Sequence, residues 1–189
     1  MSARAEVRER PNTVLMVSMT AAGFVLLLVR TGISLAPARQ AFLLGGIYAA
    51  LTAGSTATSK PESERVVHPL VALGVGIAAI LASSLVVGSP PPAAATAAWA
   101  LPLALGAAVA EEAFFRRFLY ARLLRRGALV AVAGSAIAFA AIHVPEYGGA
   151  ALWVDLGAGL LLSWQRWASG SWAVPAATHA AANFLVVMR

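Results

Sequence analysis

The chain has 189 residues, of which 60% are hydrophobic and 12% are charged. Soluble domains carry about 25% charged residues, so this composition and a mean hydropathy of +0.78 exclude an ordinary soluble protein. The net charge of +6 comes from short basic clusters between apolar runs, which is typical of membrane loops and argues against a nucleic-acid partner. Cysteine is absent, which excludes disulfides, thiolate metal sites and a cysteine nucleophile.

Seven apolar segments follow one another along the chain, most of them close to the ~20 residues that a bilayer-spanning helix needs. They cover residues 13–29, 41–58, 66–88, 93–115, 128–144, 149–164 and 171–188. Three prolines after Ser89 separate the third segment from the fourth, and Arg125, Arg126 and Gly127 close the fourth helix. The pattern predicts an all-α, polytopic integral membrane bundle with about seven transmembrane helices.

The charges between the segments predict an orientation in the cell (plasma) membrane. The first segment is longer than the core of a typical cleaved signal, so we expect it to be retained, although Ala36 and Ala38 weakly resemble a cleavage site. With the N-terminus in the cytoplasm, Arg30, Arg39 and Arg189 lie outside. The inner residues are then Arg4, Arg8, Arg10, Lys60, Arg65, Arg117, Arg122, Arg125, Arg126 and Arg166.

Polar groups within the spans are the candidates for function. An ionisable group there costs about 2.5–3.5 kcal/mol on insertion scales, and it usually faces a protein interior or a wet cavity. His68, at a helix start beside Pro69, is expected at the membrane interface. The remaining candidates are Glu111, Glu112, Arg116, His143, Asp155, His179 and Asn183.

The two adjacent glutamates are expected to have different roles, because neighbouring helical residues point about 100° apart. Glu112 and Arg116 are four residues apart, with the acid first, which favours an ion pair. Glu111 would then be the free carboxylate, suited to act as a general base. The alternative is that Glu111 caps or solvates the mouth of the fourth helix.

The histidines and the asparagine also allow two interpretations. His179 and Asn183 share a helical face and could donate hydrogen bonds to an oxyanion, or they could form an interhelical polar contact. His143 could be catalytic or structural, and Glu146, which follows Pro145, is expected to be a loop carboxylate at the outer surface. Pro175 would kink the last helix or fix its first turn.

Two other features have simpler interpretations. Asp155 is expected to be structural, either paired with a histidine or Arg116 or hydrating a cavity. The glycine pairs Gly74/Gly76 and Gly157/Gly159 indicate close helix packing. No HExxH zinc helix, G-x-S-x-G nucleophile elbow or phosphate loop is present, which excludes those catalytic classes.

Three short motifs resemble those of one family. Glu111-Glu112-Ala-Phe-Phe-Arg116 resembles the EExxxR motif of the CPBP intramembrane proteases, the CAAX prenyl protease and bacteriocin-processing group that is also called Abi. Phe139-Ala-Ala-Ile-His143 is similar to its FxxxH motif, and His179-Ala-Ala-Ala-Asn183 is similar to its HxxxN motif. The motifs occur in the family's order on successive apolar helices, and the resemblance covers roughly residues 92–187.

The resemblance implies hydrolysis of a peptide bond inside the membrane, in a hydrophobic or membrane-anchored substrate of the prenylated or bacteriocin type. Glu111 and His143 would activate water, His179 and Asn183 would hold the oxyanion, and Glu112 and Arg116 would support them. Zinc bound by Glu111, His143 and His179, or a metal-independent mechanism, is equally compatible. The chain would be one membrane domain, with N-terminal helices over residues 1–91 and the catalytic core over 92–189.

Two further classes remain open at the sequence level. One is a non-catalytic scaffold or bacteriocin self-immunity protein of the same fold, and the other is a proton-coupled transporter, although no internal repeat is evident. The segment boundaries also place Glu111 in the cytoplasmic half of the fourth span and His143 at the outer end of the fifth. Those two depths conflict with one compact site.

Overall fold

A computed structural model of the protein describes residues 13–58, 65–86 and 98–188. Within these ranges every element is helical, which confirms the all-α class. The α-helices are α1 (Thr13–Val29), α2 (Pro37–Ala57), α3 (Pro69–Val86), α4 (Ala100–Glu112), α5 (Tyr120–Leu123), α6 (Ala128–Tyr147), α7 (Leu152–Ser169) and α8 (Ala173–Val187). A π-helix spans Ala113–Leu119, and short 3-10 turns span Arg30–Gly32, Leu124–Arg126 and Gly149–Ala151.

The fourth helix of the bundle continues beyond its predicted apolar segment and ends at the basic cluster that was expected to close it. α4, the π-helix, α5 and the turn Leu124–Arg126 follow one another without interruption, so the segment end at residue 115 is wrong, whereas the predicted closure by Arg125, Arg126 and Gly127 is confirmed. Residues 93–97 of the predicted segment lie outside the described ranges. The described part of the chain therefore contains seven helical segments.

Membrane crossing is supported by composition for some of these segments. Thr13–Gly32 and Ala128–Tyr147 are long and apolar enough to cross a bilayer by length and composition, and Pro69–Leu85 and Ala173–Val187 are apolar but shorter. The number of transmembrane spans, seven, stays a prediction.

Proline and glycine account for helix ends that differ from the predicted ones. α2 starts at Pro37, because a proline at the first helical position lacks an N–H that would have no partner there. Pro145 does not end α6 but lies in its last turns, and the helix stops at Gly148, where φ is +77°. α7 continues past residue 164 to Ser169, because the left-handed residue that ends it is Gly170.

The first helix packs closely against the fourth. A Cβ at Gly23 would lie 2.1 Å from Cε2 of Phe114, so only glycine permits this approach. Phe24 meets the same ring edge-on, with the centroids 5.2 Å apart. The buried core around this contact consists of Leu27, Leu51, Ala110, Phe114, Phe115, Phe118, Phe139, Ile142 and Leu162.

α7 is anchored by buried polar side chains that the sequence analysis did not single out. The Gln165 amide donates to the carbonyl of Ala72 and to the hydroxyl of Thr178, both at 2.8 Å. Arg166, which was expected in a cytoplasmic loop, is buried and donates from Nε to the Arg116 carbonyl at 2.9 Å. That expectation is wrong because α7 continues through this position and turns the guanidinium into the bundle.

One member of each glycine pair lies at a close helix contact. A Cβ at Gly159 would lie 2.9 Å from the carbonyl oxygen of Ala136, whereas nothing lies within 4 Å of one at Gly157. Gly159→Ala is therefore expected to destabilise the α6–α7 contact by about 1–3 kcal/mol, the usual cost of overpacking. Gly157→Ala is expected to be neutral or slightly stabilising, because alanine favours helix. Thermal unfolding of both purified variants in detergent measures the difference, and equal melting temperatures would contradict this packing.

Candidate active site

Glu111 and His143 lie at the same depth in the bundle. The fourth helix and α6 form an antiparallel hairpin that turns at Gly127, where φ is +111°. Glu111 lies sixteen residues before this glycine and His143 sixteen residues after it, and Oε2 of Glu111 lies 3.6 Å from Nε2 of His143. The conflict in depth came from ending the fourth apolar span at residue 115, and it disappears because the helix continues to the turn at Gly127.

The Glu111 carboxylate faces both predicted histidines. Its Oε2 lies 3.6 Å from Nε2 of His143 and 4.0 Å from Nε2 of His179. The side chain is 4% exposed, and Oε2 is buried with no hydrogen-bond partner among the described residues. The structure therefore brings together three of the predicted site residues around one carboxylate oxygen.

His143 is held in orientation by its own helix. Its Nδ1 lies 2.7 Å from the carbonyl oxygen of Phe139, one turn earlier. A carbonyl only accepts hydrogen bonds, so Nδ1 donates and the neutral ring carries its lone pair on Nε2, facing Glu111. The Phe139 ring lies 4.5 Å from the imidazole on one side, and Tyr147 stacks at 5.7 Å one turn later. The spacing of the FxxxH motif therefore fixes this ring.

His179 and Asn183 enter the site from α8. Nδ1 of His179 lies 2.9 Å from Oε1 of Glu112, which leaves Nε2 directed towards Glu111. The Asn183 amide donates to the carbonyl of Ala104 at 2.9 Å, which joins α8 to α4. Pro175 lies in the first turn of α8, as one of the two sequence interpretations expected.

The expected ion pair between Glu112 and Arg116 is present. Nη1 of Arg116 donates to Oε1 of Glu112 at 3.0 Å, and both side chains are fully buried. The second guanidinium nitrogen donates to the Gly159 carbonyl at 3.1 Å, and the guanidinium lies 4.5 Å from the Phe139 ring centroid. Because Glu112 Oε1 also contacts His179, this pair supports a histidine of the site.

Glu111 is not the free carboxylate that the sequence predicts. Its Oε1 accepts a hydrogen bond from Nη1 of Arg30, which forms an ion pair with it. Arg30 was expected outside the membrane, but its side chain is 7% exposed. One feature of the sequence could have indicated this: Arg30 directly follows the first apolar run, so it could belong to the helix rather than to a loop.

Two further carboxylates border the site. Glu146 is not in a loop, because α6 continues through it, and its Oε2 lies 4.0 Å from Nη2 of Arg30 with the side chain 36% exposed. Asp155 forms no ion pair with Arg116 or a histidine among the described residues. Its Oδ2 is buried without a partner there, and the side chain lines a cavity of about 210 Å³ together with both histidines and Asn183.

Two larger spaces adjoin the site. A cavity of about 390 Å³ is lined by Glu111, both site histidines and Asn183, and by residues at the ends of α1, α6 and α8. An apolar groove of about 890 Å³ runs between α2 and α4 and is lined by Phe42, Pro102 and Val109, among others. Tyr48 lines both spaces, so the groove meets the polar cavity at this side chain.

The site residues do not form a ready zinc centre. One carboxylate and two imidazoles are a familiar ligand set for catalytic zinc. However, within the described ranges no group of three or more His, Asp or Glu side chains is close enough to hold a metal ion. The separations of 3.6 Å and 4.0 Å from Glu111 Oε2 to the two Nε2 atoms are too long for direct hydrogen bonds and leave room for a small molecule such as water between the side chains.

This combination defines a class: a helical membrane protein with a carboxylate, two histidines and an amide gathered inside its apolar bundle. Residues 93–185, about half of the chain, match the family model described as type II CAAX prenyl endopeptidase Rce1-like. The chain belongs to this family, which confirms the resemblance noted in the three motifs. No curated protein and no solved structure matches the chain.

Proposed function

We propose that the protein is an intramembrane endopeptidase that uses Glu111, His143, His179 and Asn183 to hydrolyse a peptide bond. The observation that supports it most is the position of Glu111 Oε2, which is buried without a partner and faces Nε2 of both histidines at 3.6 Å and 4.0 Å. A carboxylate and a neutral imidazole nitrogen both accept hydrogen bonds, so a water molecule between them can donate to both.

In this mechanism the water oxygen attacks the scissile carbonyl while Glu111 takes its proton, with His143 accepting the second hydrogen bond. The carbonyl oxygen becomes an oxyanion, to which the doubly protonated His179 donates from Nε2. Glu112 stabilises that protonated ring through Nδ1. The Asn183 amide has a second N–H besides the one given to Ala104, and it donates to the same oxyanion. Glu111 then passes its proton to the leaving nitrogen as the C–N bond breaks.

The substrate is proposed to be a membrane-associated peptide of the prenylated or bacteriocin type. The apolar groove between α2 and α4 suits a hydrophobic segment or lipid chain, because it is large, is lined by apolar side chains and meets the polar cavity at Tyr48. Water must reach the bond as well, and the polar cavity supplies that route because it is lined by Arg30 and Glu146.

We further propose seven spans in the cell membrane with the N-terminus in the cytoplasm. Seven helical segments support the number. Arg30 and Arg166 are buried and no longer count as loop charges. The remaining basic loop residues still lie mainly on the side of Arg125 and Arg126, which would be the cytoplasmic side. The site cavity is lined by residues at the opposite ends of the helices, including Tyr147 and Val187, so it would open towards the outer side.

A comparison of peptides in membranes tests the proposed activity. Cells expressing the wild type are expected to contain cleavage products that disappear with His143→Gln and persist with His68→Gln. His68 is the matched control because it is exposed at the start of α3, where its Nδ1 accepts the Leu70 N–H. Identical peptide sets for the wild type and His143→Gln would contradict the proposal.

A chelator arm in the same experiment tests the metal-independent form of the mechanism. Product formation in isolated membranes is expected to continue after treatment with EDTA and 1,10-phenanthroline, because the proposed reaction uses only side chains and water. Loss of products with chelator, and their return with added zinc, would show that the mechanism written here is wrong while leaving the endopeptidase activity intact.

A further inference from the structure

We infer that Arg30 is a positioning residue for the reaction: it holds one oxygen of Glu111 so that the other faces the two imidazoles. The inference rests on the proposed function. It adds a residue from the first helix, which lies outside the 93–185 range that matches the family.

The packing of α1 carries Arg30 to this place. Gly23, Leu27 and Arg30 are spaced four and three residues apart, which puts them on one face of a helix. Gly23 contacts Phe114 so closely that a side chain there would clash, and Leu27 is fully buried. Two turns beyond Gly23, this face brings the Arg30 guanidinium to the Glu111 carboxylate.

The contact with Arg30 gives the two carboxylate oxygens of Glu111 different surroundings. Oε1 accepts from Nη1 of Arg30, whereas Oε2 has no hydrogen-bond partner among the described residues and faces His143 and His179. This charge-assisted hydrogen bond favours the carboxylate orientation in which Oε2 faces the imidazoles. The orientation of the general base therefore depends on Arg30.

Arg30 is itself fixed by its surroundings. Its Nη2 lies 4.0 Å from Oε2 of Glu146, and Tyr48 lies beside the guanidinium. Glu146 on α6 and Tyr48 on α2 therefore contribute to the orientation of Arg30. The pair also keeps the buried Glu111 charge compensated, since a lone charge at this depth would be costly.

The effect of Arg30 on catalysis is tested by measuring kcat and KM in proteoliposomes, for the reaction that forms the most abundant wild-type cleavage product. Arg30→Met is expected to lower kcat by about 10²-fold, the usual effect of a misplaced catalytic group, with little change in KM. Arg30→Lys is expected to recover part of this loss, because lysine restores the charge without the fork geometry. Arg39→Met is the control, since Arg39 is an exposed arginine in the first turn of α2. Unchanged kcat in Arg30→Met would overturn the inference.

Histidine ¹⁵N spectra in detergent micelles provide a second readout that needs no substrate. The chain has three histidines. Arg30→Met is expected to shift the Nε2 signals of His143 and His179 and to leave those of His68 in place. Unshifted signals from the two site histidines would overturn the inference. If the wild type forms no product while the signals still shift, the proposed endopeptidase fails and the positioning of Glu111 by Arg30 stands.

Discussion

Replacement of Glu111 by glutamine is expected to lower kcat for peptide cleavage by about 10²- to 10⁴-fold, the range that a positioned general base contributes to catalysis. Glutamine keeps the shape of the side chain and an oxygen that can accept the Arg30 hydrogen bond. It removes the negative charge that would take the proton from water. The rate of product formation by the purified variant in proteoliposomes, compared with that of the wild type, measures the loss.

The fold must survive the substitution for this result to be informative. Glu111→Gln is expected to keep the wild-type helical content with a modestly lower melting temperature, because the amide oxygen still accepts from Arg30 and Glu146 remains 4.0 Å from the Arg30 guanidinium. A kcat within a few-fold of the wild type would contradict the role of Glu111. It would favour the alternative in which the protein is a non-catalytic scaffold or self-immunity protein.

Much of the helical architecture could be predicted from hydrophobicity alone. Seven apolar runs predict the seven helical segments, and the starts and ends agree within a few residues for α1, α3 and α8. Local spacing also predicts the Glu112–Arg116 ion pair, because residues four apart on a helix are neighbours whatever surrounds them. These features depend on residues that are close to one another in the sequence, so they can be predicted from one sequence.

The predictions failed for basic residues that contact other helices. The charges of Arg117, Arg122 and Arg166 resemble the flanks of membrane spans. Arg166, however, is buried by helix contacts, and Arg117 and Arg122 donate to the carbonyls of Thr56 and Thr58 at the end of α2. The pattern of apolar residues does not distinguish a basic residue in a loop from one that contacts another helix. The fourth apolar span was therefore ended too early, at residue 115, and Glu111 was placed too close to that end.

The π-helix that follows the two glutamates could not be read from the sequence either. It spans Ala113–Leu119 and buries Phe114, Phe115 and Arg116. π-helical turns are rare and occur frequently at functional sites, and this one begins directly after Glu112. It packs against α2 and α6, so its formation depends on helices that a local sequence pattern does not specify.

Contacts between distant residues were the other missing information. Arg30 and Glu111 are eighty-one positions apart, and His179 and Glu112 are sixty-seven apart. Periodicity places each residue on a face, but which faces meet depends on the packing of whole helices. The close approach at Gly23 and Phe114 decides it for Arg30, and a glycine in an apolar helix gives no indication of its partner.

Replacement of Arg116 by methionine is expected to destabilise the protein by about 3–5 kcal/mol, because it leaves the Glu112 carboxylate buried without its cation. Both side chains of the pair are fully buried, so water cannot compensate for the loss. Unfolding by denaturant or heat in detergent measures the change. Arg125→Met is the control, since Arg125 is exposed at the end of the fourth helix and its loss should cost little.

A double-variant cycle separates the support role of this pair from the chemical role of Glu111. Glu112→Gln combined with Arg116→Met is expected to be more stable than the sum of the two single losses predicts, by about 0.5–3 kcal/mol, as for other residues in direct contact. The double variant should still bring His179 to the site, because the glutamine oxygen can accept from Nδ1. It should therefore retain more activity than Glu111→Gln does. Additive stability losses would contradict the pairing, and an activity as low as that of Glu111→Gln would give Glu112 a direct part in the reaction.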